Sequence, residues 1–351
     1  MFRREIGGDF HVCEEIYNDN TSSNVFEYLK EYSTAYFDSG RSALKFLLKQ
    51  VKCQNVLLPG YICESVREAF PENCDVQYYR VTQDIKIDWN DLLNKARGGV
   101  DVVYLHFFNG YIGKEYDFDA LLRLKKKNKF TIIEDTTHSF FTEKQTVGDY
   151  CVCSLRKWFP IADGGVLYSK NVIKAEDLKE SEWSFRKREA MLEKTQYLQG
   201  LSNDKKRFLA SFSNAECTLD SQKNSYAISR ESYNALKRLN CDFIMSARKR
   251  NFNYLKEKMT CELVASGGEN QVPLFFTIRD ANRDELRQQF IQSDIYCPIH
   301  WPLYEGLKAL SEAVSIYDTE LSIPIDQRYG ESEMEHICRT YCAYIDRGKK
   351  T

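Results

Sequence analysis

One lysine follows a short apolar segment closely enough for its amine to become reactive. Residues 150–153 are apolar or aromatic, Ser154 follows them, Lys157 comes three residues later, and a glycine pair stands at 164–165. A lysine in a tight loop at a strand end can be partly removed from water and placed near positive charge. Both effects lower its pKa from about 10.4 and make the amine a nucleophile. Ser154 and Arg156 are side chains of the kind that hold a phosphate.

Two plainer interpretations fit the same lysine. Lys157 could be an ordinary surface residue before a turn. The Ser154-x-x-Lys157 spacing also occurs in penicillin-recognising acylases, but the Ser-Asp-Asn and Lys-Thr-Gly motifs of that class are absent from this sequence. The lysine therefore needs support from other parts of the chain.

An aspartate stands at the end of another predicted strand. Residues 130–133 are apolar, and Glu134 and Asp135 follow directly, before the small polar residues that open a loop. In open α/β sheets, ligands bind at the carboxyl ends of the strands. A carboxylate there could face a protonated ring nitrogen, a ribose hydroxyl or a metal ion. It could equally cap a helix or face solvent.

A third segment has the features of a phosphate-binding turn. Ser39 and Gly40 open a predicted helix, and Arg41 and Ser42 fall in its first turn. The free N–H groups and the positive dipole at the start of a helix attract phosphate. An ordinary capped helix shows the same pattern, so this segment gains meaning only together with the other two.

The apolar segments predict an α/β fold. Strand-length segments rich in β-branched or aromatic residues occur at 55–58, 76–79, 101–107, 130–133, 150–153 and 165–169. Most are separated by about 20–30 residues that include a helical stretch, which is the βαβ pattern of a mostly parallel sheet. A long helix or two, predicted over 229–259, leads into a small α+β unit. Its predicted elements are strands at 272–277 and 296–299 and helices at 282–292 and 331–344.

Taken in order, these segments resemble the fold-type-I pyridoxal-phosphate (PLP) enzymes and, within them, the DegT-type nucleotide-sugar aminotransferases. The similarity runs roughly from Tyr36 to Tyr344. It rests on SGRSAL, LLPGYICES, LHFFNGYIGKEYDFDAL, IIEDTTHSF, SLRKWFPIADGG, CPIHWP and LSIPIDQRY, which stand in the order of the family's motifs. The resemblance implies an aspartate-aminotransferase-like PLP fold. We expect an N-terminal segment and large PLP-binding domain over residues 1–235, and a small α+β C-terminal domain over 236–351.

Carried over position by position, the resemblance implies a role for each matching residue. Lys157 is expected to form a Schiff base with PLP and later to move a proton, while Asp135 keeps the pyridine nitrogen protonated. The other expected roles are phosphate binding for Gly40, Arg41, Ser42 and Ser154, a place near the cofactor's phenolic oxygen for His138, stacking on the ring for Tyr61, and substrate contact for Arg156 and His300. Asn224 is the candidate for reaching the partner subunit's site in a homodimer.

The sequence departs from the family pattern at two places. The family's serine lies five residues before the lysine, whereas Ser154 lies three before Lys157, a spacing more like that of aspartate aminotransferase. The family's Asn-Tyr-Arg segment is represented here only by Asn224 and the two residues after it. The cofactor assignment does not depend on these positions, but the choice of sugar does.

The C-terminal region favours a keto sugar, linked to a nucleotide, as the acceptor, and we expect glutamate as the amino donor. Amino-acid aminotransferases of this fold place an arginine in the small domain, where it holds the substrate carboxylate in two hydrogen bonds. The corresponding segment, residues 297–302, instead offers His300 beside Trp301. Arg328 follows later and could serve a carboxylate or a nucleotide diphosphate.

Composition narrows the partners. The 351 residues carry 49 Lys and Arg against 51 Asp and Glu, a net charge of -2, which gives no support for a nucleic-acid partner. No secretory signal and no membrane-length apolar run is recognisable, so we expect a cytoplasmic protein without a membrane partner. The 12 cysteines are scattered without a CxxC pair, which argues against zinc or any other metal.

Two alternatives to the aminotransferase remain. One is a PLP enzyme with other amino-acid or amino-sugar chemistry; family members that dehydrate sugars carry histidine at the position of Lys157. The other is a noncatalytic, regulatory protein that binds PLP without turnover.

Overall fold

A computed structural model of the protein describes residues 5–18, 21–142, 146–174, 177–265, 268 and 271–348. Its strands are β1 (Ile6–Gly7), β2 (Ser33–Phe37), β3 (Asn55–Pro59), β4 (Asp75–Tyr79), β5 (Val102–His106), β6 (Thr131–Asp135), β7 (Tyr150–Ser154), β8 (Gly165–Ser169), β9 (Glu262–Leu263), β10 (Phe275–Arg279), β11 (Ile295–Tyr296) and β12 (Glu320–Pro324). Its helices are α1 (Val25–Tyr28), α2 (Gly40–Leu48), α3 (Glu64–Arg67), α4 (Trp89–Lys95), α5 (Phe118–Asn128), α6 (Glu182–Leu198), α7 (Lys205–Asp220), α8 (Arg230–Leu236), α9 (Cys241–Lys258), α10 (Arg283–Gln292), α11 (Glu305–Lys308), α12 (Ser311–Thr319) and α13 (Glu331–Gly348). Short 3₁₀ turns occur at Glu14–Ile16, Phe108–Gly110 and Leu155–Lys157.

The largest sheet among the described residues has seven strands in the order β2-β8-β7-β6-β5-β3-β4. Strands β3 to β7 pair in parallel, while β8 runs antiparallel to both of its neighbours, β7 and β2. Parallel neighbours need long crossover connections, and α4 and α5 lie in the connections before β5 and β6. The sheet is therefore mixed but mostly parallel, which confirms the predicted α/β class.

The carboxyl edge of this sheet receives the start of α2. Ser39 caps the helix, because its Oγ accepts the Ser42 N–H at 3.1 Å. Leu44, Leu47 and the other apolar residues of α2 are buried, and the helix packs against β7 and β8. Burial of that apolar face fixes where the first turn of α2 lies relative to the strand ends.

A second apolar core lies among the elements after residue 250. Strands β12, β10 and β9 form an antiparallel sheet, and β1 pairs in parallel with β11. Helices α9, α10 and α13 cover this sheet with buried side chains, among them Phe252, Leu286, Phe290, Met334 and Ile337. The predicted domain boundary at 235/236 falls at the end of α8 and stays a prediction.

The predicted strands of the large sheet are all present, shifted by at most two residues at an end. The helix predicted over 229–259 is divided into α8 and α9, because the Asn240 side chain accepts the Phe243 N–H and starts a new helix. Strands β2 and β12 were not predicted as strands, and the strand expected at 296–299 is only β11. No helix in the described part of the chain is long and apolar enough to cross a membrane.

Strand β8 and the turn before α2 approach each other most closely at Gly165. A Cβ added there would lie 2.2 Å from the carbonyl carbon and oxygen of Ser39 and 2.6 Å from the Gly40 nitrogen. These are backbone atoms, which cannot move aside as a flexible side chain can. Gly165 is therefore needed for the placement of α2 at the sheet edge.

We predict that Gly165→Ala destabilises the protein by about 1–3 kcal/mol, since the added methyl group forces β8 and the α2 turn apart. Denaturant unfolding followed by tryptophan fluorescence measures the effect. Gly330→Ala is the matched control, because a Cβ there meets only the Glu333 side chain at 3.8 Å. Equal unfolding midpoints for Gly165→Ala and the wild type would contradict the close approach.

Candidate active site

The carboxyl ends of β5, β6 and β7 bring polar side chains to one edge of the sheet. The register pairs His106 of β5 with Asp135 of β6, and Asp135 with Val152 of β7. Lys157 ends the 3₁₀ turn Leu155–Lys157 that directly follows β7. Neighbouring parallel strands thus place the predicted aspartate and lysine at the same edge.

These residues surround a cavity of about 140 Å³, here called the smaller cavity. Its lining includes the predicted residues Gly40, Arg41, Asp135, His138, Ser154, Arg156 and Lys157, together with Ser39, Cys63, Tyr104, His106, Thr137 and Trp301. The smaller cavity therefore joins all three segments that the sequence marks out, although they lie more than a hundred residues apart at the extremes.

Asp135 is 6% exposed, and its carboxylate is held on several sides. The Tyr104 hydroxyl donates to Oδ2 at 2.9 Å, the Thr137 N–H donates to Oδ1 at 2.9 Å, and His106 Nδ1 lies 3.1 Å from Oδ2. Burial alone would raise the pKa of Asp135, but His106 and the Thr137 hydrogen bonds outweigh it and hold that pKa below the ordinary value. The group is a carboxylate at neutral pH.

Lys157 has an exposed side chain, which lines both the smaller cavity and a second, larger one described below. Removal from bulk water lowers the pKa of Lys157, and the adjacent Arg156 charge lowers it further. A larger share of the amine is therefore unprotonated and nucleophilic than in an exposed lysine.

The start of α2 and Ser154 form one wall of the smaller cavity. A Cβ at Gly40 would lie 3.2 Å from Ser154 Cβ, so glycine keeps this wall open. Thr137, in the loop after β6, supports this wall, because its Oγ1 accepts the Ser154 N–H at 3.0 Å. Helix N–H groups, a serine and open space between them suit a phosphate.

Two histidines and Trp301 form the opposite side. The His138 ring lies 4.6 Å from that of His106 and 5.3 Å from that of Trp301, measured between centroids. Burial, followed by the charges of His106, His300 and Lys157, lowers the pKa of His138 well below its ordinary value. His138 is therefore neutral. Its Nδ1 accepts the Asn109 N–H at 3.5 Å, which leaves the proton on Nε2.

A larger cavity of about 380 Å³ shares Arg156 and Lys157 with the smaller one. It lies between the N-terminal segment, α6 and the elements after residue 240. Its polar and charged lining comprises Asp9, Arg156, Lys157, Lys187, Arg248, Arg287, His300, Asp326 and Arg328. Lys157 thus stands where the two cavities meet.

His300 is fixed from behind by a buried acid. The backbone N–H of His300 donates to Glu320 Oε2 at 2.8 Å, and the ring Nδ1 of His300 lies 3.0 Å from Ser322 Oγ. Ser322 donates its own proton to Glu320 Oε1 at 2.5 Å, so its oxygen accepts the proton on Nδ1. Burial lowers the pKa of His300 despite the opposing effect of Glu320. The ring is neutral, with an unprotonated Nε2.

Comparison with known proteins was made by sequence and by structure. No family model and no curated protein matches the sequence. Among solved structures, Helicobacter pylori PseC, an aminotransferase of pseudoaminic acid biosynthesis, superposes with a TM-score of 0.65 at 14% identity, covering 97% of this chain and 99% of that one. Spr1654 of Streptococcus pneumoniae, described as a sugar aminotransferase and solved in its PMP form, gives 0.63 at 15% identity, with coverage of 96% and 97%. A DegT DnrJ EryC1 StrS aminotransferase from Brucella abortus gives 0.60 at 15%, with coverage of 91% and 88%.

The chain has the fold of the DegT-type aminotransferases. At identities of 14–15%, this likeness concerns the fold and not the chemistry. It confirms the predicted aspartate-aminotransferase-like architecture over nearly the whole chain.

Three predicted site residues do not line either cavity. Tyr61 lies behind Trp301, and its hydroxyl donates to the His300 carbonyl, so Tyr61 is not in a place to stack on a ring in the smaller cavity. Ser42 lies in the first turn of α2 with its side chain buried, and its N–H donates to Ser39 Oγ. Asn224 is exposed in the loop after α7, so any role at a site would have to be in a partner subunit.

Two predicted arginines line the cavity but are already engaged. Arg41 makes an ion pair with Asp220 at 2.9 Å and donates to the Leu219 carbonyl. Arg156 pairs with Glu216 at 2.8 Å. Their charges contribute to the field in the cavity, but their donor groups are partly taken, which weakens the expectation that Arg156 grips a substrate carboxylate.

Several lining residues lay outside the sequence prediction. His106 had a usable signal, because it ends an apolar strand as Asp135 does. Cys63 lies two residues after the predicted Tyr61, and Trp301 directly follows the predicted His300. Arg248 opens a run of three cations and Arg287 stands alone, both within predicted helices, and nothing local distinguishes them from surface charges. No group of three or more His, Cys, Asp or Glu side chains in the described ranges is arranged to hold a metal.

We predict that Glu216→Gln destabilises the protein by about 1–2 kcal/mol at pH 7, less than a fully buried pair because Glu216 is 37% exposed. Burial raises the pKa of Glu216, but Arg156 and Lys187 lower it more, well below its ordinary 4.5. The stabilisation is thus complete above pH 4.5 and is lost as the pH falls further.

Denaturant unfolding at several pH values checks this. The difference between the wild type and Glu216→Gln should narrow in acid. Glu182→Gln, which removes an exposed partner of Arg186, is the control and should change stability by under about 0.5 kcal/mol. A gap that stays constant from pH 7 down to pH 3 would refute the role of the Glu216 charge.

Proposed function

We propose that this protein is a PLP-dependent aminotransferase that moves an amino group from glutamate to a keto sugar carried by a nucleotide. The observation that carries the proposal is the smaller cavity. It brings together a lysine of lowered pKa, a buried carboxylate and the open start of a helix. The fold, shared with aminotransferases over nearly the whole chain, supports it.

The residues present fit PLP. The start of α2 with Gly40 and Ser154 would hold the phosphate, and a Cβ at Gly40 would narrow this wall. Asp135 would hold the ring nitrogen, since a buried carboxylate of low pKa favours a proton on its partner. His138 would donate from Nε2 to the phenolic oxygen. PLP, when bound, supplies the carbonyl carbon that takes up the amino group and a ring that withdraws electrons.

Lys157 has two tasks in this scheme. Its unprotonated Nζ would hold the cofactor covalently, and a free Nζ would take a proton from the substrate and return it. Both tasks need a lowered pKa near neutrality. Asp135 must remain ionised while Lys157 gains and loses its proton, and Tyr104, Thr137 and His106 hold the carboxylate in that state.

The larger cavity is the place for the substrate, because it opens onto Lys157. His300, neutral and oriented by Ser322 and Glu320, presents an acceptor nitrogen that suits a sugar hydroxyl. Spr1654, one of the similar structures, is described as a sugar aminotransferase, which supports a sugar as the acceptor. Glutamate as the donor rests on the resemblance of the motifs.

We further propose a homodimer. The helices α6 and α7 pack against each other, and this pair exposes large apolar side chains, namely Phe185, Leu192, Leu201 in the connecting loop, and Leu209. Exposed apolar groups of this kind are typical of an interface. A second copy would cover them and bring Asn224 of one subunit toward the other. The cytoplasmic location stays a prediction.

We predict that borohydride reduction of the PLP-loaded protein fixes the cofactor on Lys157, because Lys157 faces the wall that suits phosphate. Peptide mapping by mass spectrometry identifies the site. Lys187, which also lines the larger cavity, is the internal control and should remain unlabelled, since it is paired with Asp9 and Glu216. Label on any lysine other than Lys157 would show the assignment to be wrong.

We predict that the protein completes turnover with glutamate and a keto sugar linked to a nucleotide. The assay compares a panel of such sugars with common 2-oxo acids as acceptors. Transamination between two amino acids with no activity on any keto sugar would contradict the sugar assignment. Bound PLP with no amine uptake from any donor would instead indicate a noncatalytic PLP protein.

A further inference from the structure

The larger cavity has an uneven charge balance. Its lining carries six cationic side chains, Arg156, Lys157, Lys187, Arg248, Arg287 and Arg328, but only two carboxylates, Asp9 and Asp326. Positive charge collected in a cavity raises the local concentration of anions. Which of the six cations remain able to bind one depends on their existing partners.

Three of the cations are already neutralised within the chain. Arg156 pairs with Glu216 at 2.8 Å, and Lys187 pairs with Asp9 at 2.6 Å and Glu216 at 2.7 Å. Arg328 pairs with Asp326 through two nitrogens, at 2.7 and 2.9 Å. Lys157 is reserved for the cofactor under the proposed function.

Arg248, on α9, is left without an ion pair among the described residues, although it is only 1% exposed. Its Nη1 donates to the Leu274 carbonyl at 2.7 Å, its guanidinium lies over the Trp158 ring, and its Nε has no partner in the described part of the chain. A buried guanidinium without an ion pair is costly. Burial lowers the pKa of Arg248, and Asp326 raises it from beyond ion-pair distance, but the Asp326 carboxylate is already paired with Arg328, so a bound anion would compensate the charge of Arg248.

Arg287, on α10, is the second cation of this kind. Its Nε donates to the Cys297 carbonyl at 3.1 Å, which fixes the plane of the guanidinium. Within the described ranges, no carboxylate lies at ion-pair distance from it. A guanidinium anchored through Nε still offers terminal N–H donors in a planar fork, the geometry that matches carboxylate and phosphate oxygens.

We propose that Arg248 and Arg287 form an anion subsite that binds a carboxylate or phosphate group of the substrate within the larger cavity. This proposal rests on the proposed function and refines it, because it says which side chains hold the charged end of the molecule.

The test is calorimetric binding of two probes to the PLP-loaded protein. 2-Oxoglutarate represents the carboxylates of the amino donor, and inorganic pyrophosphate represents the diphosphate of a nucleotide sugar. We expect Arg287→Gln to weaken at least one of them by about tenfold or more. The probe that loses affinity identifies the source of the anion. Arg287→Lys, which keeps the charge but not the fork, should give an intermediate loss.

Arg339→Gln is the matched control, because it removes the same charge from an exposed position on α13. The affinities of Arg339→Gln for the two probes should remain within about twofold of those of the wild type. Arg287 is only partly buried, so its variants should fold, and thermal unfolding verifies this. Wild-type affinity of Arg287→Gln for both probes, or no binding of either probe to the wild type, would overturn the subsite.

The outcomes separate the subsite from the proposed function. If the wild type turns over and Arg287→Gln binds both probes as the wild type does, the aminotransferase assignment stands and the proposed subsite is wrong. If the wild type takes up no PLP but binds a probe with an affinity that depends on Arg287, the proposed subsite stands and the aminotransferase assignment is wrong.

Discussion

The buried carboxylate of Asp135 is the constraint around which the candidate site is organised. A charge removed from water must be met by hydrogen bonds or opposite charge, or it will take up a proton. Here the parallel register supplies these partners. Pairing of β5 with β6 sets His106 beside Asp135, and the loop after β6 contributes the Thr137 N–H. The same strand ends then define where the lysine after β7 must point.

The rest of the fold brings distant segments to this carboxylate. Close contact of β8 with the α2 turn, possible only because residue 165 lacks a side chain, positions the start of α2 against Ser154. The core beyond residue 250 carries α9 and α10 to the other side of Lys157. The large sheet and the elements beyond residue 250, each with its own apolar core, therefore both reach Lys157. The large sheet contributes the negative charge of Asp135, and the elements beyond residue 250 contribute cations of the larger cavity.

The sequence was most informative where the signal was local. Asp135 and Lys157 follow apolar strands directly, and strand ends of a parallel sheet share one edge, so their meeting could be predicted. Tyr61 does not line the smaller cavity, whereas its near neighbour Cys63 does, because the direction of a side chain in a loop depends on packing. Arg248 and Arg287 could not be found, since a cation inside a helix looks the same whether it faces solvent or a cavity. Only the tertiary structure shows that both arginines line the larger cavity.

The positive charge of the larger cavity and the reactivity of Lys157 are linked by the same electrostatics. Burial and Arg156 lower the pKa of Lys157, which favours the unprotonated amine needed to bind the cofactor. An anion held at Arg248 and Arg287 would oppose that field and raise the basicity of the amine, because a nearby negative charge favours the protonated form. Substrate binding would thereby make Lys157 a stronger base just when a proton must be removed from the substrate. Under the proposed function, the empty and the substrate-bound site would need different pKa values of one lysine, and the proposed anion subsite in the adjoining cavity would supply that change without any movement of the backbone.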